Sequence, residues 1–219
     1  MNRIAENINY FKENLPQEVT LVAVSKTKPA EDVQTAYDAG HLDFGENRVQ
    51  EMVEKYEILP KDIRWHQIGH LQKNKVKYIA PFVHLIHSVD SESLLKEINK
   101  QALRNERTIS CLLQIRIADE ETKFGMEQEE AEKILSTYQE KFPSVKIIGL
   151  MGMSTFTEDK TQIRNEFRGL KIFFDKLKTQ NPELQTLSMG MSGDYQIAME
   201  EGSNMIRVGS SVFGNRNYG

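Results

Sequence analysis

Val19-Thr20-Leu21-Val22-Ala23-Val24-Ser25-Lys26-Thr27-Lys28-Pro29-Ala30-Glu31-Asp32-Val33-Gln34-Thr35-Ala36-Tyr37-Asp38-Ala39-Gly40 contains the unit from which the whole chain is built. Its first part, 19–25, is apolar and rich in β-branched residues, which is the pattern of a strand. Pro29 can open a helix, Glu31 to Ala39 is polar with helical spacing, and Gly40 can follow the helix end. The same order then repeats. Further apolar runs lie at 42–45, 65–69, 83–89, 109–117, 145–151, 186–189 and 205–208, and polar helical stretches at 48–56, 74–80, 92–105, 127–141, 162–180 and 194–201. Ser91 and Gly202 sit where caps belong. Eight strand-helix units allow a closed (β/α)8 barrel or a doubly wound open sheet, and the strand count favours the barrel. Residues 3–14 add a helix over the bottom or side of the sheet. The expected fold is α/β: a single (β/α)8 TIM-type barrel with an additional N-terminal helix.

A chain of 219 residues with 39% hydrophobic and 27% charged content supports one well-packed core. No proline-rich, glycine-serine-rich or single-charge linker divides it, so 1–219 reads as one domain. Met-Gly-Met-Ser occurs at 151–154 and at 189–192, too short a repeat to establish duplication. The net charge of -4 arises from 32 acidic and 28 basic residues interspersed along the chain, which leaves no basic face for nucleic acid. Cys111 is the only cysteine, so no intrachain disulfide can form, and its apolar run fits buried packing in a reducing compartment. Met1 to Leu15 is broken by charges and carries no signal-peptide core. With no run of about 18 apolar residues, a soluble, cytoplasmic protein without membrane association is expected. No exposed heptad, aromatic cluster or tail marks a protein partner, and a monomer is expected.

In such barrels the carboxyl ends of the strands and the loops after them form the active face. Lys26, Glu46, Asn47, His70, Ser88, Asp90, Ser154, Ser192, Gly209 and Ser210 all fall there. The loops after strands seven and eight, Ser188-Met189-Gly190-Met191-Ser192-Gly193-Asp194 and Arg207-Val208-Gly209-Ser210-Ser211, resemble phosphate sites. Glycines 190, 193 and 209 would admit an anion to the backbone, and a helix beginning near Ser192 would point its positive end at it. Turn and cap duty explains the same residues equally well. Lys26 lies across the barrel seam from strand eight, on the face of Val22 and Val24. Desolvation there favours the neutral amine, a nucleophile toward an aldehyde. Phosphate loops beside such a lysine suggest a phosphorylated aldehyde, while composition alone fits a solvated turn lysine like Lys28. Arg207 could face a ring nitrogen or form a rim ion pair with a carboxylate such as Glu46.

Taken together, Ala23-Val24-Ser25-Lys26-Thr27-Lys28-Pro29, Gly45-Glu46-Asn47, Trp65-His66, Ile68-Gly69, His87-Ser88-Val89-Asp90, Leu187 to Ser192, and Gly202-Ser203 through Arg207 to Gly214 resemble the pyridoxal phosphate homeostasis protein family. That family is related to the amino-terminal barrel of bacterial alanine racemase. The resemblance spans nearly the whole chain. It implies pyridoxal phosphate held as a Schiff base on Lys26, with Asn47 near the ring and Arg207 toward the pyridine nitrogen. It also implies that Ser192, Gly209 and Ser210 hold the phosphate. Arg48, His70 and Ser210 depart from the family's usual tyrosine, proline and threonine, and serine keeps the hydroxyl donor.

The resemblance further implies a role in holding or delivering the cofactor within vitamin B6 homeostasis, with apo-enzymes as recipients. A racemase needs acid/base groups on both faces of the α-carbon, and Lys26 supplies one. Alanine racemases add a second domain carrying the other, whereas here the barrel consumes the chain, so carriage is favoured over weak racemisation by a fold-type III enzyme. Lys28 is a candidate to assist transfer. A metal-dependent hydrolase built on His66, His70, His84 and His87 is the remaining alternative. No carboxylate-histidine motif accompanies these histidines, and no metal is expected.

Overall fold

A computed structural model describes residues 3–118 and 124–214. Within them, helix α1 (Arg3–Asn14) precedes eight parallel strands. These are β1 (Thr20–Val24), β2 (Asp43–Glu46), β3 (Arg64–Gln67), β4 (Leu85–Val89), β5 (Ile109–Gln114), β6 (Val145–Met151), β7 (Thr186–Ser188) and β8 (Met205–Val208). They pair in chain order, and the sheet closes where β8 pairs with β1, Val22 opposite Arg207 and Ala23 opposite Val208. The α/β barrel expected from the alternation is the fold.

Strand alternation sorts the side chains into two cores. Outward residues such as Phe44, Trp65, Ile86 and Leu187 pack beneath the helices. A smaller inner layer comprises Val22, Leu85, Leu112, Met151 and Met205. The strands approach closely between β6 and β7, where a Cβ on Gly149 would lie 1.7 Å from the Thr186 carbonyl oxygen. Only glycine fits there.

The helices are α2 (Ala30–Asp38), α3 (Val49–Ile58), α4 (Val76–Ile79), α5 (Glu92–Arg104), α6 (Gln128–Leu135), α7 (Tyr138–Lys141), α8 (Lys160–Lys178), α9 (Tyr195–Glu200) and α10 (Ser210–Phe213). Two depart from the sequence reading. The stretch 127–141 is broken at Ser136 and Thr137, whose hydroxyls both donate to the Lys133 carbonyl, a local bond that competes with helix continuation. After β8 comes α10, a single turn where a loop was expected. It is too short to cover the seam, and α1 fills that place in the outer ring. Ile4, Ile8 and Phe11 are its buried stripe. Asn7 donates to the Val212 carbonyl at 2.8 Å and Lys12 to the Ala39 carbonyl at 2.6 Å, tying α1 to α10 and α2. The N-terminal helix therefore covers the side of the barrel. No helix among the described residues is long and apolar enough to cross a membrane.

Candidate functional site

Lys26 is half-buried in a tight turn that begins one residue after β1. The Lys28 amide donates to the Ser25 carbonyl at 3.0 Å, closing the turn, and Thr27 within it has φ +63°. That conformation is rare for a β-branched residue and costs about 1–2 kcal/mol. The turn is held from outside. The Thr27 amide donates to Glu51 Oε2 at 2.9 Å, and Lys28 Nζ reaches the Phe213 carbonyl at 3.0 Å at the end of α10.

Beneath the turn lies a buried ion pair. Glu46 Oε1 accepts from Lys55 Nζ and from the Ser25 hydroxyl, both at 2.6 Å, and Lys55 also donates to the Ser25 carbonyl at 2.8 Å. Burial lifts the Glu46 carboxyl above its usual range, although Lys55 and Ser25 pull the other way. Glu46 thus pairs with Lys55 and not with Arg207. Ser25 and Lys55 escaped the sequence reading. Their signal was present: Val49, Met52 and Lys55 form one buried stripe on α3, and a lysine in such a stripe needs a partner.

Asn47 follows β2 and is half-buried. Its carbonyl accepts from Gln67 Nε2 at 3.0 Å, and Gly69 packs so closely that a Cβ there would meet the Asn47 carbonyl oxygen at 2.5 Å. Arg48 is exposed at the start of α3, 4.0 Å from Glu51. His70 pairs with Asp90 at 3.2 Å and stacks on Phe124 with ring centroids 4.0 Å apart. These contacts place both residues at the rim.

On the other side of the seam, the Gly209 amide donates to the Ser192 hydroxyl at 3.1 Å, drawing the loops after β7 and β8 together. Helix α9 starts at Tyr195, so Ser192 brings its hydroxyl to the rim and not a helix terminus. Gly190 has φ +92° and a Cβ would collide with Tyr195 and Ala198; it is required by the turn itself. Ser210 is exposed at the first position of α10. Asp194 is anchored by the Ser154 hydroxyl at 2.7 Å and by the Met191 amide at 2.6 Å. Arg207 is 3% exposed. Its guanidinium donates to the Ser188 hydroxyl at 2.5 Å and the Gly152 carbonyl at 3.0 Å. Burial lowers its pKa to about 10, the Asp194 carboxylate pulling the other way, so it stays a cation at neutral pH.

Lys26, Asn47, Ser192, Arg207, Gly209 and Ser210 therefore lie on one arc, at or just beyond the carboxyl ends of β7, β8, β1 and β2, which are neighbours in the closed sheet. Three of the four histidines gather and His70 does not: the His84 and His87 rings lie 5.4 and 5.2 Å from that of His66. His66 and His87 meet inside the barrel, His70 stands at the carboxyl rim, and His84 precedes β4 at the opposite end. Asp43, His66 and His84 bring one donor atom each within 4.8 Å of one another, but Asp43 is already held by Arg64 and His66.

Residues 1–217 match the family model described as alanine racemase, N-terminal domain. The pyridoxal phosphate homeostasis protein of Aquifex aeolicus is 42% identical over 200 residues, covering 90% of this chain and 87% of that one. PipY of Synechococcus elongatus PCC7942, solved with PLP (pyridoxal phosphate) bound, is similar at a TM-score of 0.88 and 35% identity, over 96% of this chain and 100% of that one. An alanine racemase from Bartonella henselae with covalently bound pyridoxal phosphate shares the fold at a TM-score of 0.74 and 15% identity, over 98% of this chain and 60% of that one.

Proposed function

The chain belongs to the pyridoxal phosphate homeostasis protein family, built on the alanine racemase N-terminal domain, and we propose that it binds pyridoxal phosphate at the carboxyl rim of its barrel. In this reading Lys26 is the covalent anchor, Asn47 lies beside the ring, Arg207 faces the ring nitrogen, and Ser192, Gly209 and Ser210 surround the phosphate. The cofactor supplies an aldehyde to which a primary amine can bond.

The observation that carries the reading is Arg207. This buried cation spends two N–H groups on a hydroxyl and a carbonyl, feels the Asp194 carboxylate through space, and keeps further N–H groups to offer a ligand. In the proposed pose one of those N–H groups meets the ring nitrogen, an acceptor, while the phosphate sits elsewhere on the same arc. The donor set fits as well: a guanidinium for the ring nitrogen and, for the phosphate, two serine hydroxyls and the Ser210 and Ser211 amides, which open α10 and find no partner within the helix. Lys26 follows the strand paired with that of Arg207, so the anchor and the cation border one space.

The relatives' name supports a role in pyridoxal phosphate homeostasis; in our reading the protein holds and releases the cofactor, with apo-enzymes as the proposed recipients. The chain's own residues bind and orient, and Lys28, whose ammonium tethers α10, keeps the rim closed against the anchor turn. The test is the visible spectrum of purified protein titrated with pyridoxal phosphate, followed by borohydride reduction and peptide mass mapping. An absorbing, reducible adduct on the Lys26 peptide, absent from Lys26→Ala, is expected; a protein that stays colourless overturns the reading. Incubation with L-amino acids in deuterated water separates carriage from turnover, because sustained α-hydrogen exchange at a useful rate marks an enzyme.

A further inference from the structure

The inner layer of the barrel is not apolar throughout. Asp43, His66, His87, Ser188 and Arg207 project inward from β2, β3, β4, β7 and β8 and form one hydrogen-bonded chain across the lumen. Arg207 Nη1 meets Ser188 Oγ at 2.5 Å, Ser188 Oγ meets His87 Nδ1 at 3.1 Å, His87 Nε2 meets His66 Nδ1 at 2.9 Å, and His66 Nε2 meets Asp43 Oδ1 at 2.9 Å. His87 and Ser188 are wholly buried, and His66 is 1% exposed. At the far end Arg64 holds the other Asp43 oxygen.

The two ends fix the direction of every proton between them. A guanidinium only donates, and an ionised carboxylate only accepts. Burial raises the Asp43 carboxyl, but the His66 hydrogen bond and Arg64 more than offset this, so it is held below its usual range and ionised. Ser188, accepting from Arg207, has its own proton to give, and a neutral His87 that donates through Nε2 takes it at Nδ1. His87 then carries its proton on Nε2 and gives it to His66 Nδ1, and His66 carries its proton on Nε2 and gives it to Asp43. In this polarity each ring accepts at Nδ1 and donates at Nε2. Burial, ahead of every other cause, holds the His87 ring well below its ordinary value, in keeping with that form.

We propose that Ser188, His87 and His66 are positioning residues: they fix the orientation of the Arg207 guanidinium from behind, and so set how it meets the ring nitrogen of bound pyridoxal phosphate. This rests on the binding reading above. None of the three has to touch the cofactor. A guanidinium donor leaves the ring nitrogen an acceptor and the ring a weak electron sink, which suits holding better than turnover, and the chain behind Arg207 sets the angle of that contact.

The test has two parts. Nitrogen-15 NMR of the cofactor-free wild-type protein at pH 7 should show both His66 and His87 as neutral Nε2–H rings; a proton on Nδ1 of either overturns the polarity. Pyridoxal phosphate titrations should then show binding weakened about tenfold in Ser188→Ala, the loss expected when one charge-assisted hydrogen bond is removed. The absorption maximum should move while borohydride still fixes the adduct on Lys26. His87→Leu should behave likewise, and His87→Gln, which keeps one acceptor and one donor, should recover most of the loss. Variants that melt like wild type and keep its affinity and spectrum overturn the positioning role while leaving the binding reading intact. A wild-type protein that takes up no pyridoxal phosphate overturns both.

Discussion

Thr27 occupies a backbone conformation that suits glycine, in the turn that carries Lys26, and the strain is borne by a residue with no side-chain reason to be there. Thr27→Gly should remove that cost and raise stability by about 1 kcal/mol, partly offset by the freer unfolded chain. Urea unfolding should show a higher midpoint at an unchanged slope, and a lower midpoint would mean that the turn needs Thr27 itself. At this scale the sequence was legible where chemistry and position coincide. Lys26 alone reads as a solvated turn lysine and Arg207 as a rim ion pair equally well; both gained weight from their place beside the loops after strands seven and eight and from the family resemblance. Ser188 did not, since a buried serine declares nothing until its partners are known; His87 could be read as a core histidine for the same reason. Both gain meaning only across the lumen, between β4 and β7, a contact that no local pattern encodes.

Elements show where local rules prevail. β6 and β8 match their apolar runs residue for residue, and α1 matches its expected span, because hydrophobic periodicity alone sets those boundaries. The break between α6 and α7 was missed because helical spacing continues through Ser136 and Thr137 while their hydroxyls divert the backbone. The one-turn α10 was missed because its glycine and serines read as loop. Between elements, the Glu46–Lys55 pair pins α3 to β2 directly under the anchor turn. Lys55→Met leaves an uncompensated buried carboxylate and should cost about 3–5 kcal/mol. Adding Glu46→Gln should restore much of it, measured as chemical denaturation of both variants. If Lys55→Met unfolds like wild type, the pair does not brace the turn.

For the whole molecule, acid is the informative stress. His41, His84 and His87 all titrate below 6.5, chiefly through burial. The unfolded chain then takes up protons before the folded one, so their contribution is complete above pH 6.5 and is lost as pH falls from there toward the folded values. His87, wholly buried, should contribute a slope of up to about 1.4 kcal/mol per pH unit. Glu46, raised by burial, acts in the opposite sense, so the difference between wild type and His87→Gln carries the test. Melting between pH 7.5 and 5.5 should fall more steeply in wild type, and parallel curves would show that His87 is not held neutral. The seam has a kinetic consequence of its own. Val22 and Arg207 are partners drawn from near opposite ends of the sequence, and the proposed site straddles their junction. A nascent chain cannot build that junction until β8 has been synthesised, however much helix it has already formed. Cofactor capture should therefore trail the return of secondary structure during refolding, making pyridoxal phosphate uptake a late reporter of a finished barrel.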